Sequence, residues 1–235
     1  MYEAVSVDWD DPQTVTEIAT TAGEYDYDGV VVRAPKGTPA DVDLEAVVAA
    51  AGVDVVPGVE IRAENPDAAS GAVGNYRTSE SIVVVRGGTA ALNRFAVETD
   101  AVDVLSSPTV GDGDVNHVLA RAAADNGVRI EFDLGSVLRS RGGRRVRQIQ
   151  SLTKLARIVK YYDAPYVVSA SPSTPLELRG PRELCALGEV LGLETEWITA
   201  GLCEWGRLVE RNRRIDSDSF IEPGVERGRY EKDDR

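Results

Sequence analysis

Residues 81–85 read SIVVV. A near-continuous apolar run without polar alternation suits a strand buried on both faces, as in a parallel sheet covered by helices. Parallel neighbours need crossover connections, normally helices, and both flanks supply them. Downstream, Thr89 stands where an N-cap would and Ala90–Glu98 follows with helical spacing. Then come a short strand at Val102–Leu105, a helix over Asp114–Asn126 closed by Gly127, and an alternating strand, VRIEFDL, at Val128–Leu134.

Upstream, Asn65-Pro66 opens a weaker helix that ends before Thr78, and Val53–Ile61 contains a strand. Asp41 or Asp43 caps a helix whose apolar positions are Leu44, Val47, Val48 and Ala51, with Gly52 at its end. Strands at Asp28–Arg33 and Ala4–Asp8 enclose a helix from Asp11-Pro12 to about Glu24. Beyond residue 134 the pattern predicts a long helix, a strand at Tyr166–Ser169 and a helix over Pro181–Leu191. A short strand near Glu194–Ile198 and a last helix from about Gly201 to Arg213 complete it. Seven or eight β-α repeats without a domain-sized linker predict an α/β fold, a single TIM-like (β/α) barrel over residues 1–213. An open doubly wound sheet is the alternative. Residues 214–235 are polar without apolar period and read as a flexible tail.

Composition narrows the function. The 235 residues carry 39 Asp+Glu against 26 Lys+Arg, and only four of the basic residues are lysine. Abundant surface acid and scarce lysine predict a protein adapted to high salt, one whose stability rises in molar KCl. No run approaches the ~18 apolar residues of a membrane span. The acidic start, MYEAVSVDWDD, lacks the basic region of a secretory signal, so the expected location is the cytoplasm. Cys185 and Cys203 are read as buried free thiols. Two Cys and one His fall short of the roughly four ligands of a structural zinc site.

One stretch runs against the global charge. From Leu134 to Tyr162 there is no acidic residue, while Arg139, Arg141, Arg144, Arg145, Arg147, Lys154, Arg157 and Lys160 are basic. Gly142-Gly143 places Arg139 and Arg141 in the loop after the sixth strand and Arg144 near the start of a helix. Ile149, Leu152, Leu155, Ala156 and Val159 share one helical face, and Arg144, Arg147, Lys154 and Arg157 the other. Loops after barrel strands build the functional face, so the arginines are expected to meet phosphate or an acidic partner. In concentrated salt diffuse attraction fades, which favours placed, bidentate arginine contacts.

Catalytic candidates are few. His117 lies in GDGDVNHVLA, where Asp and Asn are first of all capping residues. Asp8, Asp10, Glu60, Glu131 and Asp133 lie near strand ends without diagnostic spacing, and there is neither a Gly-x-Ser-x-Gly elbow nor a Gly-rich dinucleotide loop. No self-contained active site emerges.

Asp112–Asp133 (DGDVNHVLARAAADNGVRIEFD), the Arg-rich turn, KYYDAP (160–165), VVSASPS (167–173), LRGPRELCALGEVLGL (178–193) and the closing GL…VERNR occur in one order. In that order they resemble the ribonuclease P protein component 3 family, the thirty-kilodalton subunit of archaea and eukaryotes, here of a halophilic kind. The resemblance is specific from about Ser106 to Arg213 and looser before it. It implies a barrel related to the polymerase-and-histidinol-phosphatase group, acting as protein cofactor to a catalytic RNA that removes the 5′ leader of precursor tRNA. The implied partners are that RNA, a small α/β subunit, other protein subunits and the precursor tRNA. Mg²⁺ is expected on the RNA, with no cofactor bound by this chain. Phosphoesterases of that barrel begin with His-x-His at the first strand, where this chain has Val7-Asp8-Trp9-Asp10 and a single histidine overall. No catalytic or metal-binding residue is therefore expected. Arg179, Arg182, Arg86 and His117 join the basic stretch as expected RNA contacts. The alternatives are a carboxylate-ligated phosphoesterase using Asp8, Asp10, Glu60 and Asp133, and a scaffold whose basic face meets an acidic protein.

Overall fold

A computed structural model describes residues 1–217 and the backbone of 220–222 and 225–226. Seven parallel strands follow one another in chain order: β1 (Tyr2–Val5), β2 (Gly29–Ala34), β3 (Asp54–Ile61), β4 (Ile82–Arg86), β5 (Val104–Ser106), β6 (Arg129–Asp133) and β7 (Tyr166–Ser169). The sheet order β1 to β7 never reverses, so it is the barrel rather than the doubly wound sheet. The intervening helices are α1 (Pro12–Glu24), α2 (Leu44–Ala51), α3 (Pro66–Tyr76), α4 (Ala90–Glu98), α5 (His117–Asn126), the short α6 (Gly135–Leu138), α7 (Gly142–Tyr162), α8 (Pro181–Val190) and α9 (Thr195–Ile215).

The helix starts follow the capping chemistry. Asp43, not Asp41, accepts from Ala46 N at 3.0 Å, and Asn65 and Thr89 do the same for Ala68 N and Leu92 N. Asn116 accepts from both Val118 N and Leu119 N, so α5 starts at His117, three residues later than expected. β1 ends at Val5 rather than Asp8, because the Ser6 N–H turns to Pro172 O.

The expected eighth strand does not form. Residues 195–198 open α9, whose buried positions Ile198, Gly201, Leu202, Trp205, Leu208, Val209 and Asn212 keep one helical period throughout. Gly201 marks a close approach rather than a helix start: a Cβ there would lie 2.5 Å from Val168 Cγ2. The helix runs on to Ile215, so it passes the expected barrel boundary at residue 213. Beyond it, Phe220–Glu222 and Val225–Glu226 pair as an antiparallel ribbon; the rest of the expected flexible tail lies outside the described residues.

α9 fills the barrel from its N-terminal end. Trp205, Leu208 and Val209 cluster with Ala4, Val31, Val56, Ile82, Val84, Val104 and Val167, the inward positions of the strands. Polar contacts ring this plug. The buried carboxylate of Asp103 accepts from Arg77, Arg211, Asn212 and the Val83 N–H, and Arg213 holds Asp54 through two bonds of 2.7 and 2.9 Å. A second apolar layer lies between the outer sheet face and the surrounding helices.

β1 and β7 do not hydrogen-bond as strands, and side chains seal the seam between them. The Trp205 indole donates to Val168 O at 3.0 Å. The fully buried Glu3 carboxylate accepts from Ala170 N, Ser171 N and the Tyr27 hydroxyl. Burial drives the Glu3 pKa up to about 8.

Candidate nucleic-acid interface

At the C-terminal mouth the inward positions that carry Val lower in the barrel become polar. Arg33 on β2 and Glu131 on β6, each 1% exposed, pair at 2.8 Å. Burial opposes the charge on Arg33, but Glu131, Glu60 and Asp133 hold it protonated. Its second guanidinium nitrogen donates to Ser6 and Ser171. Glu60 on β3 is surrounded by Arg33 at 3.7 Å, Arg62 at 2.8 Å and Arg86 at 3.3 Å. Burial would raise the Glu60 pKa, yet these cations hold it below the usual carboxylate range. Asp133 moves the other way, well up, because it is shielded from solvent and faces the Glu131 charge, against Arg139 and Arg33. These groups line a cleft of about 290 Å³ together with Ser107, Ser173 and Glu177.

The basic stretch divides in two. Arg139 is not in an open loop: it caps α6 and turns into the mouth, donating to Ala170 O at 2.9 Å and lying 3.7 Å from Asp133 and 3.8 Å from Glu177. Arg145 turns back as well, and its guanidinium donates to the carbonyls of Val137, Ser140 and Leu138, fastening α6 to α7. Lys154 pairs with Asp114 at 2.6 Å. By contrast Arg141, Arg144, Arg147 and Arg157 are exposed and make no ion pair or hydrogen bond among the described residues.

Gly142 explains the Gly-Gly break. Its φ of +54° is a left-handed conformation that glycine takes without strain, and α7 begins there. Residues 142–147 are exposed all round, Val146 at 52% included, and burial begins in earnest only at Leu152. Leu152, Leu155, Ala156 and Val159 then face the barrel as the spacing predicts, with Ile149 partly buried. The first turns of α7 therefore stand clear of the body of the protein.

Other expected contacts are scattered. Arg86 lines the mouth. His117 is exposed at the start of α5, its ring 6.3 Å from that of Tyr162. Arg179 spends its guanidinium on Leu176 O and Leu178 O, and its carbonyl accepts from Tyr27, the residue leading into β2. Arg179 and Arg182 thus lie toward the N-terminal side of the sheet, away from the start of α7. Of the four carboxylates Asp8, Asp10, Glu60 and Asp133, only Glu60 and Asp133 share the mouth, where Glu60 is held by arginines, while Asp10 pairs with Lys36 on the surface. Among the described residues no three metal-binding side chains come together. Cys185 and Cys203 are free thiols, half-buried rather than fully buried.

Arg33 and Arg62 are the mouth arginines that sequence reasoning missed, and Glu177, Ser6, Ser107, Ser171 and Ser173 line the mouth beside them. The signal was present in VVVRA, where an arginine ends an apolar run and shares the inward parity of Val31.

Fold and surface define a class: a (β/α) barrel that gathers arginines, rather than metal-binding histidines, on its C-terminal face. Within that class the chain belongs to the RNase P subunit p30 family, whose model matches residues 1–216. It is 54% identical over 225 residues to ribonuclease P protein component 3 of Haloarcula marismortui, with 96% of each chain covered. The corresponding protein of Natronomonas pharaonis is 54% identical over 236 residues, covering 100% of this chain and 99% of that one. That of Methanosarcina mazei is 32% identical over 224 residues, covering 92% and 90%. The first two come from halophiles, in keeping with the acid-rich, lysine-poor composition. A chain in a cryo-EM structure of archaeal ribonuclease P with mature tRNA shares the fold over the full length of both chains. Its TM-score is 0.82 at 22% sequence identity.

Proposed function

We propose that this chain is the p30-type protein subunit of ribonuclease P and that the free start of α7 seats phosphates of the catalytic RNA. The observation that carries the docking role is the group Arg141, Arg144 and Arg147, unpaired on two exposed turns of an otherwise acidic protein. Guanidinium groups without intramolecular partners are available to phosphate oxygens, and they bind them bidentately. The holoenzyme removes the 5′ leader of precursor tRNA. Mg²⁺ on the RNA supplies the hydrolytic chemistry, and this chain contributes a surface. A small α/β subunit and further protein subunits share the particle, which works in the cytoplasm. No described helix is long and apolar enough to cross a membrane.

The test is reconstitution of precursor-tRNA cleavage with the RNA and the other subunits, comparing wild type with Arg141→Gln/Arg144→Gln/Arg147→Gln. The variant's thermal midpoint stays at the wild-type value, since none of the three side chains makes a hydrogen bond or ion pair among the described residues. The concentration needed for half-maximal activity rises about tenfold or more, and its dependence on KCl becomes shallower. Unchanged activity across the salt series overturns the docking role.

A further inference from the structure

The mouth of the barrel holds a feature that RNA docking on α7 does not use. Four guanidiniums, those of Arg33, Arg62, Arg86 and Arg139, surround one concave space with the hydroxyls of Ser6, Ser107, Ser171 and Ser173. Glu60 serves three of the cations at once, and Arg139 reaches its carboxylates only at 3.7 and 3.8 Å. Glu60, Glu131, Asp133 and Glu177 line the same space, so the four cations face four carboxyl groups, and the balance turns positive where Asp133 keeps its proton to higher pH than an ordinary aspartate.

Two further observations point inward. Arg33 is 1% exposed and lines the cleft, yet its Nε has no hydrogen-bond partner among the described residues. A buried unsatisfied donor costs about 1–3 kcal/mol and is explained when a ligand supplies the acceptor. Ser107 and Ser171 line the same space with φ of 48° and 47°, left-handed conformations that cost a non-glycine residue. Backbone strain of that kind gathers where a binding surface is held in shape.

We propose that this cleft binds a single phosphate group, with Arg62 and Arg86 as its outer ligands, Arg139 at its side and Arg33 at its floor. The volume of about 290 Å³ accommodates a phosphate with part of a nucleoside and no longer segment of RNA. The phosphate is carried either by a free nucleotide or by an RNA strand whose backbone bends into the mouth. Both present the same oxyanion to the same arginines.

The experiment uses the full chain at constant molar KCl and reads the thermal midpoint against inorganic phosphate, 5′-AMP, the dinucleoside ApA and adenosine. Phosphate and at least one phosphate-bearing nucleotide raise the midpoint saturably, while adenosine does not. 5′-AMP as the stronger ligand identifies a terminal phosphate, and ApA identifies a backbone phosphodiester. Arg62→Gln/Arg86→Gln weakens binding at least tenfold. Arg62→Gln alone, at a half-exposed side chain that leaves Glu60 its other two cations, weakens it measurably while the unliganded midpoint holds. Arg141→Gln/Arg144→Gln/Arg147→Gln leaves it unchanged, which separates this site from the α7 surface. A flat response to phosphate overturns the proposal, as does binding that survives in Arg62→Gln/Arg86→Gln.

Discussion

The two ends of the barrel use the same inward strand positions for opposite chemistry. At the N-terminal end Val31, Val56, Val84 and Val167 close on Trp205, and the polar groups there are bonded within the protein. Two residues further along, Arg33, Arg86 and Ser169 stand where apolar side chains would continue the core, and Glu60 on β3 shares that level. One end is finished by its own chain. The other sets four arginines against four carboxyl groups around an open cleft. The closed core and the open polar cleft thus lie at opposite ends of one barrel axis, as in enzymes of this fold, although among the described residues no three metal-binding side chains come together.

The comparison is broken most severely by emptying the plug. Trp205→Ala removes the largest fully buried side chain and leaves Val168 O without its donor, so a loss of about 3–5 kcal/mol is expected in urea unfolding. Arg33→Met, at the mouth, strands the buried Glu131 and costs a similar 3–5 kcal/mol or less, but Arg33→Met/Glu131→Leu recovers most of it. If the double variant is no better than the single one, the mouth is as much a part of the core as the plug.

A smaller effect sharpens the picture at the seam. The Glu3 pKa is about 8 in the folded chain, above its unfolded value, so the protonated form binds more tightly to the fold. Its contribution is complete below the unfolded pKa and is lost as pH rises toward 8. Asp133, also raised, acts in the same direction. Asp54, Glu60 and Glu177 are lowered, and their contributions are lost only under more acid conditions. Stability therefore falls between about pH 5.5 and 8.5, by roughly 3 kcal/mol from Glu3 at about 1.4 kcal/mol per pH unit and by more once Asp133 is included, and Glu3→Gln flattens the slope in a pH series of melting curves. A wild-type curve that is level over this range removes Glu3 from the account.

The smallest effect is expected at Lys154→Ala. The Lys154–Asp114 pair is 60% and 58% exposed, and its loss costs less than about 0.5 kcal/mol in the same unfolding assay. A larger loss would mean that α7 is anchored by its charges and not by Leu152, Leu155 and Val159.

Much of this fold was legible because local chemistry and tertiary packing agree. SIVVV is a strand buried on both sides, and Asp11, Asn65 and Thr89 cap the helices they precede. The misreadings lie where a residue serves a distant neighbour. Gly201 looked like a helix boundary because the contact that needs it, Val168, lies on another element. Arg139 and Arg145 looked like surface charge because α6, which they clasp, is a single turn hidden in GSVL. The free arginines of α7 were legible as a charge anomaly, whereas the phosphate-sized mouth was not. Its parts come from all seven strands or the loops that follow them, and periodicity within any one segment does not join them.

The plug also sets an order of events as the polypeptide is made. All seven strands exist once Ser169 has left the ribosome, but the hydrophobic lining they share has no filling until Val209 emerges some forty residues later. Contacts such as Asn212 to Ser81 O and Arg213 to Asp54 join residues 131 and 159 positions apart. Such distant pairings form late and slowly. In the interval the nascent barrel has an exposed apolar bore, which makes its final helix the step that commits the chain to its folded state.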